Sequence, residues 1–442
     1  MTAPSTRTIW NIAWPIMLSL AAQNVVNITD TAFLGHLGEV ELGASAIGGL
    51  LYVTLYMVGF GFTIGVQILI ARRHGEGNNP AIGRIFDNSF YFLGITSLMI
   101  TGFVVLFGPS LLKHFMSSEA ICQASSTFLV YRVLGLFFAS GGLLFRSFYT
   151  GIAFTRYLSI SSAIMAFVNV GLDYVLIFGH WGFPKLGIAG AGIASSISEV
   201  CALLYFVIVT WRNSRVKEYD LFSWVKPQWA IIKSTLGVSV FVMMQFVLSL
   251  GCWFVFFMFI EKMGERSLAV SNIIRSVYIF LMIPGWALCS VTNTLVSNAL
   301  GEGNPDHVIP VIKKIMIFCV LSMTFVLSLA ALFPRQAISI YTNDPSLIEA
   351  AVPSYYIIIV ALFLFALVSI LFNGVLGTGN TKISFGIEVI TLVAYLTFAW
   401  YVAVHLHLKI EMVWTSEFVY SLILGSLSYL YLKKGKWRGK II

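Results

Sequence analysis

Long apolar stretches separated by short polar intervals run through the whole chain. A membrane-spanning helix needs about 20 mostly apolar residues. Twelve stretches meet this length, at 9–34, 44–71, 86–111, 122–145, 157–179, 187–211, 231–260, 267–297, 310–333, 348–374, 383–405 and 411–432. Helices are expected because lipid offers the backbone no hydrogen-bond partner, and the alternating pattern of a barrel is absent. The pattern predicts an all-α integral membrane protein with twelve transmembrane helices.

Composition agrees with this class. The chain is 58% hydrophobic and 10% charged, with a mean hydropathy of +0.88, whereas soluble proteins carry roughly 25% charged residues. The net charge of +8 does not indicate nucleic acid as a partner, because excess Lys and Arg in a membrane protein usually mark cytoplasmic loops.

The positions of the basic residues predict the orientation. With both termini in the cytoplasm, the inner loops and tails hold 19 of the 27 Lys and Arg residues, as the positive-inside rule expects. The first residues, MTAPSTRTIW, lead into the first apolar stretch without a cleavage-site pattern, so we expect that stretch to be retained as a helix.

The two halves of the sequence resemble each other at a constant shift of 226 positions. HLGEVELGASAIGGLLY at 36–52 lies over KMGERSLAVSNIIRSVY at 262–278, GEGN at 75–78 lies over GEGN at 301–304, and Gly151, Thr155 and Arg156 lie over Gly377, Thr381 and Lys382. Shared hydrophobicity does not explain matched charged and glycine positions. The chain is therefore interpreted as an internal repeat.

The repeat predicts the domain organisation. We expect an N-terminal six-helix lobe at 1–212, a basic cytoplasmic linker at 213–229, and a C-terminal six-helix lobe with a basic tail at 230–442. Six is an even number, so both lobes enter the membrane in the same orientation, related by a pseudo-two-fold axis along the membrane normal. Transporters often have this architecture, with the substrate path between the halves.

Acidic residues inside spans are the main candidates for function, since charge at membrane depth is costly. Gln23, Asn27 and Asp30 share one face of the first span, and Asn169 and Asp173 lie one turn apart in the fifth. Carboxyl groups beside amides tolerate either protonation state, and their oxygens can also ligate a small cation. The alternative is that each Asp only joins helices.

The second half lacks these acids. Phe256 occupies the position equivalent to Asp30, and Ala399 the position equivalent to Asp173. The cation site is therefore predicted in the first half.

Other polar residues in the spans are candidates for a substrate cavity. Gln67 and its counterpart Asn293 are either cavity-lining or interhelical groups, and Glu388 either lines the second half's cavity or joins helices. Arg275 is expected to face the central cleft, with pairing to a carboxylate or snorkelling to the surface as alternatives.

Glu199 and Glu417 are expected to make partly solvated pairs near the outer ends of their spans. No metal site, cofactor or catalytic motif is predicted, because His405 and His407 lack a third ligand and the five scattered cysteines form no framework. An enzyme is therefore not expected.

These motifs resemble those of the multidrug and toxic compound extrusion transporters along nearly the full chain. The resemblance rests on AWPIML and VNITDTAFLGHLGEVELGASAIG in the first span and NVGLDYVLIFG in the fifth, with GNTK after the tenth span, the repeat and the basic linker. It implies export of organic, often cationic compounds in exchange for protons or sodium, in the bacterial inner membrane.

Within the family, the chain resembles the branch of DNA-damage-inducible protein F. In that branch the carboxyl groups of the first and fifth spans form the cation site, which implies roles for Asp30, Asn169 and Asp173, with Ser195 as the matching hydroxyl of the sixth span. The sodium-coupled branch has acids in the seventh and tenth spans, where this chain has Gln245 and a region near Phe365.

The sequence therefore predicts a monomeric, proton-coupled multidrug antiporter that works by alternating access. The sodium-coupled version of the same antiporter is one alternative, and a flippase for a lipid-linked precursor is the other. The expected partners are small organic cations and membrane lipid, with H+ or Na+ as the coupling ion.

Overall fold

A computed structural model describes residues 5–223 and 226–439. Two residues of the predicted linker, 224 and 225, and Lys440 of the predicted basic tail lie outside the described residues.

The first half folds into seven helices. They are α1 (Thr6–Leu37), α2 (Glu39–Gly75), α3 (Asn79–Phe115), α4 (Glu119–Val133), α5 (Leu136–Gly151), α6 (Arg156–Phe178) and α7 (Ile188–Arg212). Asn78 begins α3 by accepting a hydrogen bond from the N–H of Ala81 at 3.3 Å, and Ser118 begins α4 in the same way. Such side chains satisfy N–H groups that have no partner within the helix.

The described residues of the second half form nine helices. They are α8 (Trp229–Glu261), α9 (Glu265–Leu281), α10 (Ile283–Gly301), α11 (Val308–Leu332), α12 (Pro334–Ser339), α13 (Pro345–Gly377), α14 (Thr381–Trp400), α15 (Ile410–Trp414) and α16 (Ser416–Lys434). A π-helical turn, Tyr401–His405, extends α14. The described residues contain no strand, so the all-α prediction is confirmed.

Nine of these helices are long and apolar enough to cross a membrane, within the part of the chain that the structure describes. Two further spans are bent pairs, α4 with α5 at 49° and α9 with α10 at 48°. The helices α15 and α16 lie over the last predicted span, 411–432.

The prediction that 122–145 and 267–297 are continuous helices is wrong. The second break falls just before Pro284, because proline lacks an N–H and its ring clashes with the preceding turn. The first break, after Val133, leaves Gly135 against the side chain of Glu199.

Contacts divide the chain into two compact units, and their boundaries differ from those of the predicted lobes. One unit is Leu18–Met243, and the other is Met244–Ile442 together with Met1–Met17. The first turns of α1 thus belong with the second half, where Trp10 packs on Phe318 with ring centroids 5.9 Å apart. The first turns of α8 belong with the first half, where Ser239 donates to the carbonyl of Phe62 at 3.0 Å.

The repeat is also present in the backbone conformation, including at positions where the two halves have different residues. Four pairs of residues with positive φ are related by the shift of 226, namely Gly38 and Gly264, Gly77 and Gly303, Ala153 and Gly379, and Trp181 and His407. L-residues other than glycine adopt this conformation at a cost. Its recurrence where the residue is not glycine shows that both halves turn in the same way at the same places.

The described part of the linker packs on the first unit. Ser214–Tyr219 forms a 3-10 turn that buries Tyr219 against Phe148. Asp87, a buried acid within α3 that the hydropathy pattern did not single out, accepts hydrogen bonds from the N–H of Phe222 at 3.1 Å and the hydroxyl of Ser223 at 3.3 Å. The linker is therefore anchored along its first half.

Candidate cation site in the first half

Three helices of the first unit bring the predicted acids together. Asp30 on α1 interacts with Asp173 and Asn169 on α6 and with Ser195 on α7. Asn169 and Asp173 are fully buried, and their spacing of four residues places them on one face of α6. Four of the five residues predicted for the cation site are therefore neighbours, and Asn27 is the exception.

The amide of Asn169 is held from the neighbouring helix. Its Nδ2 donates to the hydroxyl of Ser195 at 3.3 Å, and α6 and α7 pack closely along their length. This contact turns the amide oxygen, Asn169 Oδ1, toward a buried position where it has no hydrogen-bond partner.

Most of the carboxyl oxygens in this cluster have no hydrogen-bond partner. Asp30 Oδ1 and both carboxyl oxygens of Asp173 are buried and accept no hydrogen bond. Buried polar groups in proteins are nearly always paired, and two adjacent carboxylates repel each other. A bound cation, or a proton shared between the two groups, removes both penalties.

Two other predicted residues of the first span lie apart from this cluster. Asn27 is exposed, and Gln23 donates to the carbonyl of Ser19 at 3.1 Å on its own helix. The common helical face predicted for Gln23, Asn27 and Asp30 therefore brings only Asp30 to the acids of α6.

The predicted cavity residues are placed differently from one another. Gln67 and Asn293 are both buried within their own units, which favours the interhelical alternative. The guanidinium of Arg275 lies 5.1 Å from the ring centroid of Phe257, and no carboxylate of the described residues pairs with it.

Glu388 is buried in the second unit and accepts from the hydroxyls of Ser249 at 2.9 Å and Tyr420 at 2.8 Å. Both bonds reach the same oxygen, Oε1. These contacts join α14 to α8 and α16, so Glu388 acts at least as an interhelical link.

The expectation that Glu199 and Glu417 make partly solvated pairs is wrong. Glu417 is 4% exposed and accepts from the hydroxyl of Tyr395 at 3.2 Å. Glu199 is 8% exposed and forms an ion pair with Arg132 at 2.8 Å. Both are buried because the helices that carry them pack against neighbouring helices at these positions.

The ion pair of Arg132 and Glu199 is the main feature of the first unit that sequence reasoning missed. Tyr52 completes it, donating its hydroxyl to Glu199 at 3.0 Å while its ring lies 3.8 Å below the guanidinium. The presence of a basic and an acidic residue inside spans could have predicted this ion pair, since charged residues within a membrane usually pair with one another.

A cavity of a different character lies elsewhere in the described residues. It measures about 700 Å³, lies in the second unit and is lined in part by Lys262, Arg266, His407 and Lys409. Its basic lining separates it in character from the acidic cluster, and no group of three or more His, Cys, Asp and Glu side chains in the described residues is arranged to hold a metal ion.

Sequence comparisons find transporters along the whole chain. A probable multidrug resistance protein NorM of Thermotoga maritima is 27% identical over 436 residues, covering 98% of this chain and 93% of the relative. A protein of the same name from Synechocystis is 25% identical, covering 96% and 93%.

Solved structures share the fold. An outward-facing multidrug resistance MATE family transporter of the MOP superfamily matches with a TM-score of 0.90 at 18% identity, covering 98% of this chain and 97% of that one. A MOP superfamily transporter from Pyrococcus furiosus, described as having a binding pocket of reverse polarity, matches with a TM-score of 0.87 at 18% identity, covering 98% and 97%. These structures contain twelve helices in two lobes, which confirms the predicted fold.

A family model supplies the assignment. The model described as MatE matches this chain twice, over residues 15–175 and 242–401, so that each half of the repeat is recognised separately. The chain belongs to the MatE family, the multidrug and toxic compound extrusion transporters, and is not an enzyme.

Proposed function

We propose that this transporter exports organic, often cationic compounds in exchange for protons, with Asp30 and Asp173 as the coupling site. One observation carries the proposal: two carboxyl groups from different spanning helices meet in the first unit, and three of their four oxygens are buried without a hydrogen-bond partner. A structural link would use those oxygens, as Glu388 uses Oε1.

The arrangement suits a proton that binds and leaves. When Asp30 and Asp173 share one proton, the protonated group donates to its neighbour and the pair carries a single negative charge. When the proton leaves, two adjacent negative charges remain, and an organic cation or another proton relieves them. Protonation from outside would therefore shift the balance between inward-open and outward-open states.

Sodium is the second candidate coupling ion, and Asn169 Oδ1 favours it. An amide oxygen does not take up a proton at physiological pH, but together with carboxylate oxygens and the hydroxyl of Ser195 it is a ligand for a small hard cation. The same four residues could thus form an oxygen-lined sodium site.

Efflux from vesicles tests the proposal. Ethidium export is measured with an imposed pH gradient and, separately, with an imposed sodium gradient, for the wild type and for Asp30→Asn. We expect the pH gradient to drive export by the wild type and Asp30→Asn to abolish it. Full export by Asp30→Asn would overturn the role of this residue, and export driven by sodium alone would select the second candidate.

Glu417→Gln is a matched control, because it also neutralises one buried carboxyl group but in the second unit. We expect this variant to retain gradient-driven export. Equal folding of the variants is checked by size-exclusion profile and thermal denaturation in detergent.

A further inference from the structure

Arg132 lies at the break between α4 and α5, one residue before the end of α4 and three residues before Gly135. Its Nη2 contacts Glu199 Oε1 at 2.8 Å, and the Tyr52 ring packs against its guanidinium. Three helices, α2, α4 and α7, thus fix the direction of one arginine within the first unit.

The ion pair is only half satisfied. Arg132 Nη1 and Glu199 Oε2 are both buried, and neither has a hydrogen-bond partner. Arginine usually meets a carboxylate through two parallel bonds, so a pair that served stability alone would use both. Here Arg132 Nη1 and Glu199 Oε2 take no part in the ion-pair contact.

Gly135 is required for this geometry. A Cβ atom at this position would collide with Glu199 Oε2 and would lie 2.8 Å from the hydroxyl of Ser196. The counterpart of Gly135 in the second half is Ala361. The first half therefore leaves room for a carboxylate at the break in its fourth span.

Arg132 also acts on the candidate cation site. Leu34, Phe128 and Ile177 pack in one buried cluster, and each lies four residues, about one helical turn, from Asp30, Arg132 and Asp173 in turn. The guanidinium is therefore at the level of the two aspartates, where its positive charge acts on both. The charged and titratable side chains that face this group come from six helices: Asp30, Tyr52, Tyr56, Arg132, Arg146, Asp173 and Glu199. Arg146 interacts with Tyr56 and donates to Ser162, so Arg132 is the basic group that acts on the two aspartates.

The second unit retains only the tyrosine of this group. Tyr278 is the counterpart of Tyr52, but Ile358 and Gly425 occupy the positions of Arg132 and Glu199. The half that lacks the aspartates thus also lacks the arginine and the glutamate. This shared absence ties the ion pair to the cation site rather than to the fold.

We propose that Arg132 is a positioning residue for the coupling ion. Its positive charge weakens the binding of cations by Asp30 and Asp173, and the negative charge of Glu199 limits this effect. The inference rests on the function proposed above. Two carboxylates alone would hold a cation too firmly to release it, whereas an unopposed arginine would occupy the site in its place.

The proposal predicts opposite effects from two neighbouring neutral substitutions. Arg132→Gln removes the competing charge, so protons bind the aspartates more tightly. Glu199→Gln releases the full charge of Arg132, so protons bind them less tightly. The double variant removes both charges, so protons bind the aspartates about as tightly as in the wild type.

Competition between protons and ethidium measures how tightly protons bind. Ethidium binding to the purified protein is followed by fluorescence polarisation in sodium-free buffer as a function of pH. The midpoint is the pH at which half of the ethidium binding is lost to protons. We expect this midpoint to rise by about one pH unit in Arg132→Gln and to fall by a similar amount in Glu199→Gln. A shift of this size is expected for a unit charge that acts through partly buried surroundings. The double variant is expected to return close to the wild type.

Arg132→Lys keeps the charge and is expected to keep the midpoint, whereas lysine would not replace a purely structural arginine that stacks on an aromatic ring. Shifts of the same sign in the two single variants, or no shift in either, would overturn the proposal. If Arg132→Gln does not fold, Glu199→Gln and Arg132→Lys still test it through their own expected midpoints.

Asp30→Asn separates this inference from the proposed function. If competition between protons and ethidium persists in Asp30→Asn, the coupling site itself is misassigned. If Asp30→Asn abolishes the competition but the two single variants fail to shift in opposite directions, only the role of Arg132 is wrong. Lys313→Gln, which removes an exposed positive charge from α11 in the second unit, serves as the control and is expected to leave the midpoint unchanged.

Discussion

The two halves place different chemistry in the same helical frame. Where the first half has Asp30, Asn169 and Asp173, the second has Phe256, Tyr395 and Ala399. The ring of Phe256 lies 5.4 Å from that of Tyr395 and 5.3 Å from that of Trp414. One half fills this region with close-packed aromatic rings, and the other leaves it polar and incompletely hydrogen-bonded.

This difference shows what the half-fold requires and what it does not. The aromatic version holds its helices together through ring packing, with the polar atoms of Tyr395 and Trp414 hydrogen-bonded to Glu417 and Ser271. The polar version must bury carboxyl oxygens without partners, which costs stability. Under the proposed function, the acids are retained for the ion they bind. The following predictions test that comparison from the largest expected effect to the smallest.

The largest effect is expected from Asp173→Ala, which gives the first half the residue of the second. Gradient-driven ethidium efflux from vesicles should fall at least about tenfold, while the melting temperature in detergent should stay level or rise, because a buried, unpaired carboxyl group is removed. A protein that loses both activity and stability would show instead that Asp173 supports the fold.

Phe256→Ala tests the opposite half. Phe256 is fully buried among aromatic rings, so its truncation should destabilise the protein by about 3–5 kcal/mol. Reversible unfolding in mixed detergent measures the free energy, and Asp30→Ala provides the comparison at the equivalent position. The contrast between the halves fails if Asp30→Ala is equally destabilising.

Gly135→Ala addresses the break in the fourth span. The added methyl group would force Glu199 away from the backbone, and overpacking of this kind costs about 1–3 kcal/mol. The melting temperature and the ethidium midpoint should both change. Gly142→Ala on α5, where a Cβ atom has no neighbour within 4 Å, should change neither, and an equal response of the two variants would contradict the proposed close contact.

The smallest effect is expected from Ala153→Gly. Ala153 has φ +56°, and its counterpart Gly379 has φ +78°, so an alanine occupies a left-handed position that costs about 1 kcal/mol. Glycine removes this strain but gains entropy in the unfolded state, and the net stabilisation should be a few tenths of a kcal/mol. Gly379→Ala should destabilise, and stability unchanged in both variants would mean that neither position is strained.

Hydropathy, charge and the repeat were sufficient to predict the class and the number of spans, whereas the family was predicted from the resemblance of the motifs in the first and fifth spans. The site prediction used helical spacing within single spans, which joins Asn169 to Asp173 correctly because both lie on one helix. The same reasoning failed for Asn27, since its face of α1 is exposed where only Asp30 meets α6.

The ion pair of Arg132 and Glu199 could not be located by spacing, because its partners are 67 residues apart and lie on different helices. The bends at Val133 and Leu281 were missed for a related reason. Hydropathy measures how apolar a segment is and continues unchanged through a break when the residues on both sides are apolar. Glycine and proline at these breaks were the available signals.

The exchange of helix ends between the contact units has a consequence for the origin of the chain. Residues Ile9, Ile12 and Ala13 of α1 are buried with the second half, and the start of α8 is buried with the first. In a six-helix ancestor with only one such helix, the leading turns of that helix would have packed against a second copy. The leading turns of the second copy would have packed against the first. The leading turns of α1 and α8 thus pack within one polypeptide as they would in a domain-swapped dimer.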